Sequence, residues 1–182
     1  MREVKDFTNL DYLQHGNMRQ QAAYWLLTRY EVMEKLAPFH PLLAGTIPLE
    51  IDIAQSDLDI VCCWADKSVF IETVNRQFDT FPSFVIKEKI VGKHLSVVAN
   101  FRLGSFEIEL FGQELPSQRQ AAYRHMLIEN RLLLQYGEAF RQKVVQLKRQ
   151  GYKTEPAFAK LLGLKGDPYE TLLLLEQEIF GL

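Results

Sequence analysis

Two aspartates one residue apart, Asp57 and Asp59, open an apolar run that continues Ile60-Val61-Cys62-Cys63 in a chain of 182 residues. If this run is a strand, alternation sends both carboxylates to one face and Leu58 and Ile60 to the other. Carboxylates fixed side by side repel unless a cation lies between them, and magnesium, a hard divalent ion, takes oxygen ligands together with substrate phosphates. Upstream, Gly45-Thr46 closes the short apolar stretch Leu42-Leu43-Ala44. A residue without Cβ lets backbone N–H groups approach a phosphate, and the neighbouring hydroxyl can donate to it. Ser56 adds a second hydroxyl, suited equally to bonding a phosphate or capping a turn. A third carboxylate is expected on a neighbouring strand, and Phe106-Glu107-Ile108-Glu109-Leu110-Phe111 offers Glu107 or Glu109, which share a face. With Asp57 and Asp59 holding two ions roughly 3.5 to 4 Å apart, the third acid could hold the ion that activates an attacking hydroxyl, the arrangement for in-line displacement at phosphorus. The chemistry predicted is nucleotidyl transfer.

The elements that must position these groups follow from periodicity and turn residues. Apolar positions Ala22, Trp25, Leu26, Leu27, Tyr30, Met33 and Leu36 recur at helical spacing and predict one helix over 18–36, stopped by Pro38 and Pro41. A short strand over 42–44 and a second over 58–64 follow, then a helix over 66–78. Strands over 84–91, 94–101 and 106–111 read as a meander, with Gly92-Lys93 and Leu103-Gly104-Ser105 as turns. Beyond Pro116 the pattern is helical, in segments over 117–135, 136–149, 155–162 and 168–180, punctuated by Gly151, Gly163 and Asp167-Pro168. The expected class is therefore α+β, a small mixed sheet with flanking helices over 1–113 and a C-terminal helical extension over 114–182.

Length and composition narrow the class further. The chain is long enough for one well-buried core with a helical annex and too short for two full-sized domains. With 47% hydrophobic and 24% charged residues it has the balance of a folded globular protein. A net charge of -2 makes no general demand for nucleic acid or an anionic membrane. With the charged opening Arg2, Glu3, Lys5 and Asp6 no secretory leader is expected there, no stretch approaches the ~20 apolar residues of a bilayer span, and a cytoplasmic location is expected. Cys62 and Cys63 are neighbours and read as reduced core thiols, while four scattered histidines give no zinc pattern.

Gly45-Thr46, then Ser56-Asp57-Leu58-Asp59, then an acid in a later apolar strand resembles the nucleotidyltransferase superfamily of polymerase-beta-like fold, whose usual form is Gly-Ser, a loop, Asp-x-Asp and a distant third carboxylate. More narrowly, Leu43-Ala-Gly-Thr-Ile-Pro-Leu49, Ser56-Asp-Leu-Asp-Ile60, Phe111-Gly-Gln113 and Ala122-Tyr-Arg-His-Met126 resemble the family called domain of unknown function 4269. The Tyr123-Arg124 segment and the helices behind it are similar to the GrpB-like branch. The resemblance implies Asp57, Asp59 and Glu109 as catalytic and metal-binding, with Glu109 preferred over Glu107 because Glu-Leu-Phe-Gly-Gln is the family-like ending. It implies Gly45, Thr46 and secondarily Ser56 as nucleotide-binding, and it draws Arg124 toward the cleft. Thr46 keeps the hydroxyl of the usual serine, and Glu50 stands where many minimal members have glycine. Magnesium, as two ions, and an NTP, ATP first, are the implied cofactor and substrate. The acceptor would be a hydroxyl of a small molecule, an RNA end or a protein.

Arg141, Lys143, Lys148, Arg149, Lys153, Lys160 and Lys165 form a basic stretch, read first as a solvated helical face and second as a grip for a nucleotide or RNA backbone. Asp52 reads as a solvated turn residue. The rival to an enzyme is a non-catalytic nucleotide-binding or interaction module on the same fold, such as one half of a toxin-antitoxin pair.

Overall fold

The structure, a computed structural model, describes residues 5–181, so Arg2 and Glu3 of the charged opening lie outside the described residues. Helix α1 (Asp11–Gln14) is followed by α2 (Met18–Arg29), α3 (Val32–Lys35) and strand β1 (Leu42–Ala44). Next come β2 (Leu58–Cys63), α4 (Lys67–Phe78) and the meander β3 (Val85–Val91), β4 (His94–Leu103) and β5 (Phe106–Gln113). Helices α5 (Ala121–Arg149), α6 (Thr154–Leu162) and α7 (Pro168–Phe180) complete the chain. Helix starts follow local chemistry. Asn17 caps α2 in a reciprocal box with Gln20, and Asp66 and Asp167 accept from the first free amides of α4 and α7.

Two helical expectations differ from the structure. The stretch read as one helix over 18–36 is broken at Tyr30-Glu31, where Glu31 turns left-handed at φ 53°. The apolar period runs on across the break because Val32 and Leu36, beyond it, also reach the core. The division expected at 135/136 is present as a kink inside α5, whose two helical segments meet at Gly137, with φ 74° and ψ -166° that only glycine adopts comfortably. The residues just before α5, Ser117–Arg119, form a single 3-10 turn instead of its first α-helical turn.

The five strands form one mixed sheet in the order β1-β2-β5-β4-β3, with β2 and β5 parallel and the other neighbours antiparallel. Alternation divides the strand residues between two faces. Leu58, Ile60 and Cys62 of β2, Ile108 and Leu110 of β5 and Phe101 of β4 pack with α2 and α4 into a core that holds Phe70, Phe78 and Trp64. Phe78 stacks on Phe101 at 5.0 Å between ring centroids, and Phe39 meets Phe70 edge-on at 4.9 Å. On the opposite face, Leu42, Ala44 and Val61 pack with Tyr123, Met126, Leu132, Val144 and Phe158 of α5 and α6. Among the described residues no helix is long and apolar enough to cross a membrane.

Candidate active site

The site lies on the second face, where the helices leave part of the sheet uncovered. Register sets one row across it: Ala44 opposes Asp59, Asp59 opposes Glu109, and Glu109 opposes Asn100. The next row, with Leu42, Val61 and Phe111, is apolar and packs against the C-terminal helices. Thus the same alternation that buries Leu58 and Ile60 on one face presents Asp57, Asp59 and Glu109 to a cavity of about 510 Å³ on the other.

Gly45 follows Ala44 at φ 81°, and a Cβ there would sit 2.1 Å from Asp59 Oδ2. The position requires glycine twice, for its backbone and for the space the carboxylate occupies. Thr46 and Ser56 line the cavity and tie the loop between β1 and β2 to itself, Thr46 Oγ1 donating to Ser56 Oγ at 3.1 Å and the Ile53 amide donating to the same oxygen at 3.0 Å. Ser56 therefore combines a place at the cavity with a turn-holding role. Glu50 in this loop takes φ 59°, a conformation that favours glycine, and Lys5 Nζ holds its carboxylate at 2.7 Å.

The loop has little regular structure, and its carbonyls are served by side chains from afar. Gln20 donates to Ile47 O at 2.9 Å and Pro48 O at 3.1 Å, Arg141 donates to Leu49 O, and Lys148 Nζ donates to Ile51 O at 2.9 Å. Arg141 and Lys148 are 9% and 6% exposed, which corrects the reading of the whole basic stretch as solvated. Their burial follows from the orphan carbonyls they satisfy. Asp52, expected as a solvated turn residue, is only 14% exposed and pairs with Arg19 Nε at 3.2 Å. Arg124 turns away from the cavity and is held by both oxygens of Glu176 on α7.

Electrostatics mark the row of acids. Burial, reinforced by the negative charge of Asp57, Glu109 and Glu155 and partly offset by Lys148, pushes the Asp59 carboxyl up to about 8. Burial lowers the Lys148 ammonium to about 8 against the pull of Glu129, Asp52, Glu155 and Asp59. Asn100 Nδ2 lies 3.4 Å from Glu109 Oε2, whereas Glu107 is exposed and bonded to Arg102 at 3.0 Å. Among the described residues no three His, Cys, Asp or Glu side chains are drawn close enough to hold an ion as they stand. The donor set nonetheless suits a hard cation: Asp59 is an acid that its neighbours make costly to ionise, and a divalent ion beside it reverses that cost.

The sequence reading assigned none of His125, Met126, Glu129 or Glu155 of the helical wall to the site, and took Lys148 only second as a grip for a nucleotide. His125, Met126 and Glu129 come from the first half of α5, Lys148 from its second half, and Tyr152 and Glu155 from the junction with α6. His125 donates from Nε2 to Tyr169 O at 2.8 Å, with Nδ1 at 3.6 Å from Glu155 Oε1. The available signal was acids and a lysine at helix positions otherwise occupied by core residues.

The mixed sheet with its flanking helices is the fold of polymerase-beta-like nucleotidyltransferases. A solved GLD-2/RNP-8 complex matches it with a TM-score of 0.52 at 12% identity, over 92% of this chain and 60% of that one. A structure of Cid1, described with its RNA terminal uridylyl transferase activity, matches with a TM-score of 0.53 at 8% identity, over 76% and 45%. The Cid1 poly(U) polymerase with Mg 3'-dATP bound matches at 0.52 and 10% identity, over 91% and 53%. This chain thus spans roughly half the length of those structures, and the likeness is one of fold. The chain belongs to the family described as Domain of unknown function (DUF4269), which matches residues 25–175. No curated protein matches it by sequence.

Proposed function

We infer that the chain is a magnesium-dependent nucleotidyltransferase that moves an NMP group from an NTP, ATP first, to a hydroxyl acceptor. The observation that carries this reading is the row in which Gly45 abuts Asp59 and Asp59 lies beside Glu109, at the floor of a cavity that also holds Thr46 and Ser56. Asp57, Asp59 and Glu109 would hold two magnesium ions, which supply charge neutralisation at phosphorus and a more acidic attacking hydroxyl. Gly45 leaves room for phosphate oxygens beside the backbone, and the Thr46 hydroxyl, turning its one proton from Ser56 Oγ to the ligand, would donate to them. Lys148 adds a positive charge fixed by its bond to Ile51 O, at little further entropic cost. In the transfer the acceptor oxygen bonds the α-phosphorus as the bond to the bridging oxygen breaks. Pyrophosphate leaves with that electron pair, and the hydroxyl proton passes to solvent by way of the site carboxylates. The acceptor would meet the nucleotide between the sheet and α5–α6, as a small molecule, an RNA end or a protein hydroxyl.

The test is calorimetric titration of ATP and the other NTPs with and without magnesium, followed by pyrophosphate release with an acceptor panel. Magnesium-dependent binding that Asp57→Asn and Asp59→Asn abolish is expected. Indifference to magnesium and to both substitutions overturns the reading, and tight binding without pyrophosphate release across the panel would mark a nucleotide sensor instead.

A further inference from the structure

The cavity is more acidic than a magnesium nucleotide requires. Five acidic side chains line it, Asp57, Asp59, Glu109, Glu129 and Glu155, beside Lys148 and Lys153, and burial holds the Asp59 and Glu129 carboxyls well above the ordinary carboxylate range. Two magnesium ions balance the about four negative charges of a triphosphate and would take Asp57, Asp59 and Glu109 as their protein ligands. Three carboxylates are explained by the ions. Glu129 and Glu155, on the helical wall opposite the sheet, are not.

Glu129 is the sharper of the two. It is 3% exposed, it lines the cavity from α5, and its Oε1 is buried without a hydrogen-bond partner. A buried acceptor left unpaired opposes folding, so such a group persists where something else supplies the donor. Lys148 does not supply it. Its ammonium donates to Ile51 O, and among the described residues it forms no ion pair. Glu155 places a second acid on the same wall, its Oε1 3.6 Å from His125 Nδ1.

Resting on the nucleotidyltransferase reading, we propose that Glu129 and Glu155 form a subsite for a cationic amino group of the acceptor, so that the substrate class is a small hydroxyl compound carrying an amine. The ammonium donates to the unpaired Glu129 oxygen, balances the charge that Glu129 takes on when it ionises, and leaves a hydroxyl of the same molecule facing Asp57, Asp59 and Glu109. The NMP group passes to that hydroxyl with loss of pyrophosphate, and the amine is unchanged by the transfer.

The probe is a matched set of sugars: glucosamine, its N-acetyl derivative, which keeps the hydroxyls and loses the charge, and glucose. Each is titrated calorimetrically into the full chain without magnesium or nucleotide, and MgATP is titrated in parallel. Glucosamine is expected to bind at least about tenfold tighter than the two neutral sugars, with that preference lost in Glu129→Gln and reduced in Glu155→Gln. Thermal melting reports whether Glu129→Gln folds. If it does not, the sugar preference of the wild-type chain and its loss in Glu155→Gln decide. Equal affinity for all three sugars, no binding of any of them, or a glucosamine preference that survives both substitutions overturns the proposal. So does a Glu129→Gln chain that keeps the sugar preference and changes only its choice between ATP and UTP, since the carboxyl would then read the base. Loss of MgATP binding with the amine preference intact would instead sink the nucleotidyltransferase reading and leave the cation subsite standing.

Discussion

The two faces of the sheet are built from the same strands and do opposite work. On the α2/α4 face, Phe70, Phe78, Phe101 and their neighbours close into an apolar core that also holds the Cys62 thiol. On the α5–α7 face, hydrocarbon stops at the row of Leu42, Val61 and Phe111, and the adjoining row of Asp59 and Glu109 opens to a polar cavity. The difference teaches where stability and chemistry are separable: the sealed face tolerates no loss of volume, while the open face carries groups that oppose folding.

Mutations on the two faces should therefore move different observables. Phe78→Ala on the sealed face is expected to cost about 3 to 5 kcal/mol in urea unfolding, with nucleotide affinity per folded molecule unchanged. A smaller loss would show that the α2/α4 face can collapse around the cavity. Asp59→Asn on the open face is expected to lower pyrophosphate release at least about 10³-fold, roughly 4 kcal/mol in the barrier, with no loss of stability in metal-free buffer. The same substitution sharpens the contrast through pH. In the metal-free folded chain Asp59 holds its proton up to about 8 against an ordinary 3.8. Its stabilising contribution is fully present below about pH 4 and is lost as pH rises toward 8, so Asp59→Asn should flatten the fall in stability over that window.

Gly45→Ala joins the two behaviours, because the new methyl meets Asp59 Oδ2 in a backbone conformation that opposes it. A loss of about 1 to 3 kcal/mol in thermal unfolding is expected, together with weakened magnesium-dependent nucleotide binding. Unchanged binding would show that the carboxylate can move without harm. The smallest effect is expected from Arg124→Ala. Its pair with Glu176 ties α5 to α7 at a half-exposed site, and its loss should change stability by less than about 1 kcal/mol, less still at high salt.

The sealed face was largely legible in the sequence, because alternation in Leu58-Asp59-Ile60 and in Phe106 to Phe111 assigns faces without knowledge of partners. The sheet side of the site was legible for the same reason, with Asp57, Asp59, Glu107 and Glu109 placed on their face by spacing alone. The family-like ending Glu-Leu-Phe-Gly-Gln favoured Glu109, and the cross-strand register puts it beside Asp59 and leaves Glu107 to Arg102. The helical wall was not legible. Lys148 and Arg141 look like surface charges until the carbonyls of Leu49 and Ile51, which carry no sequence signature, are brought to them from some ninety residues away. The break at Glu31 was hidden because apolar period is a record of burial, and both short helices are buried on one side.

The kink in α5 carries a consequence for heredity. Gly137 lies away from the cavity, and nothing crowds the place where its Cβ would be. Its backbone conformation alone bars other residues, and it sets the angle between the half of α5 bearing Glu129 and the half bearing Lys148. In a selection over all single substitutions this remote, uncrowded position should be as intolerant as the acids themselves, a constraint written in the path of the chain.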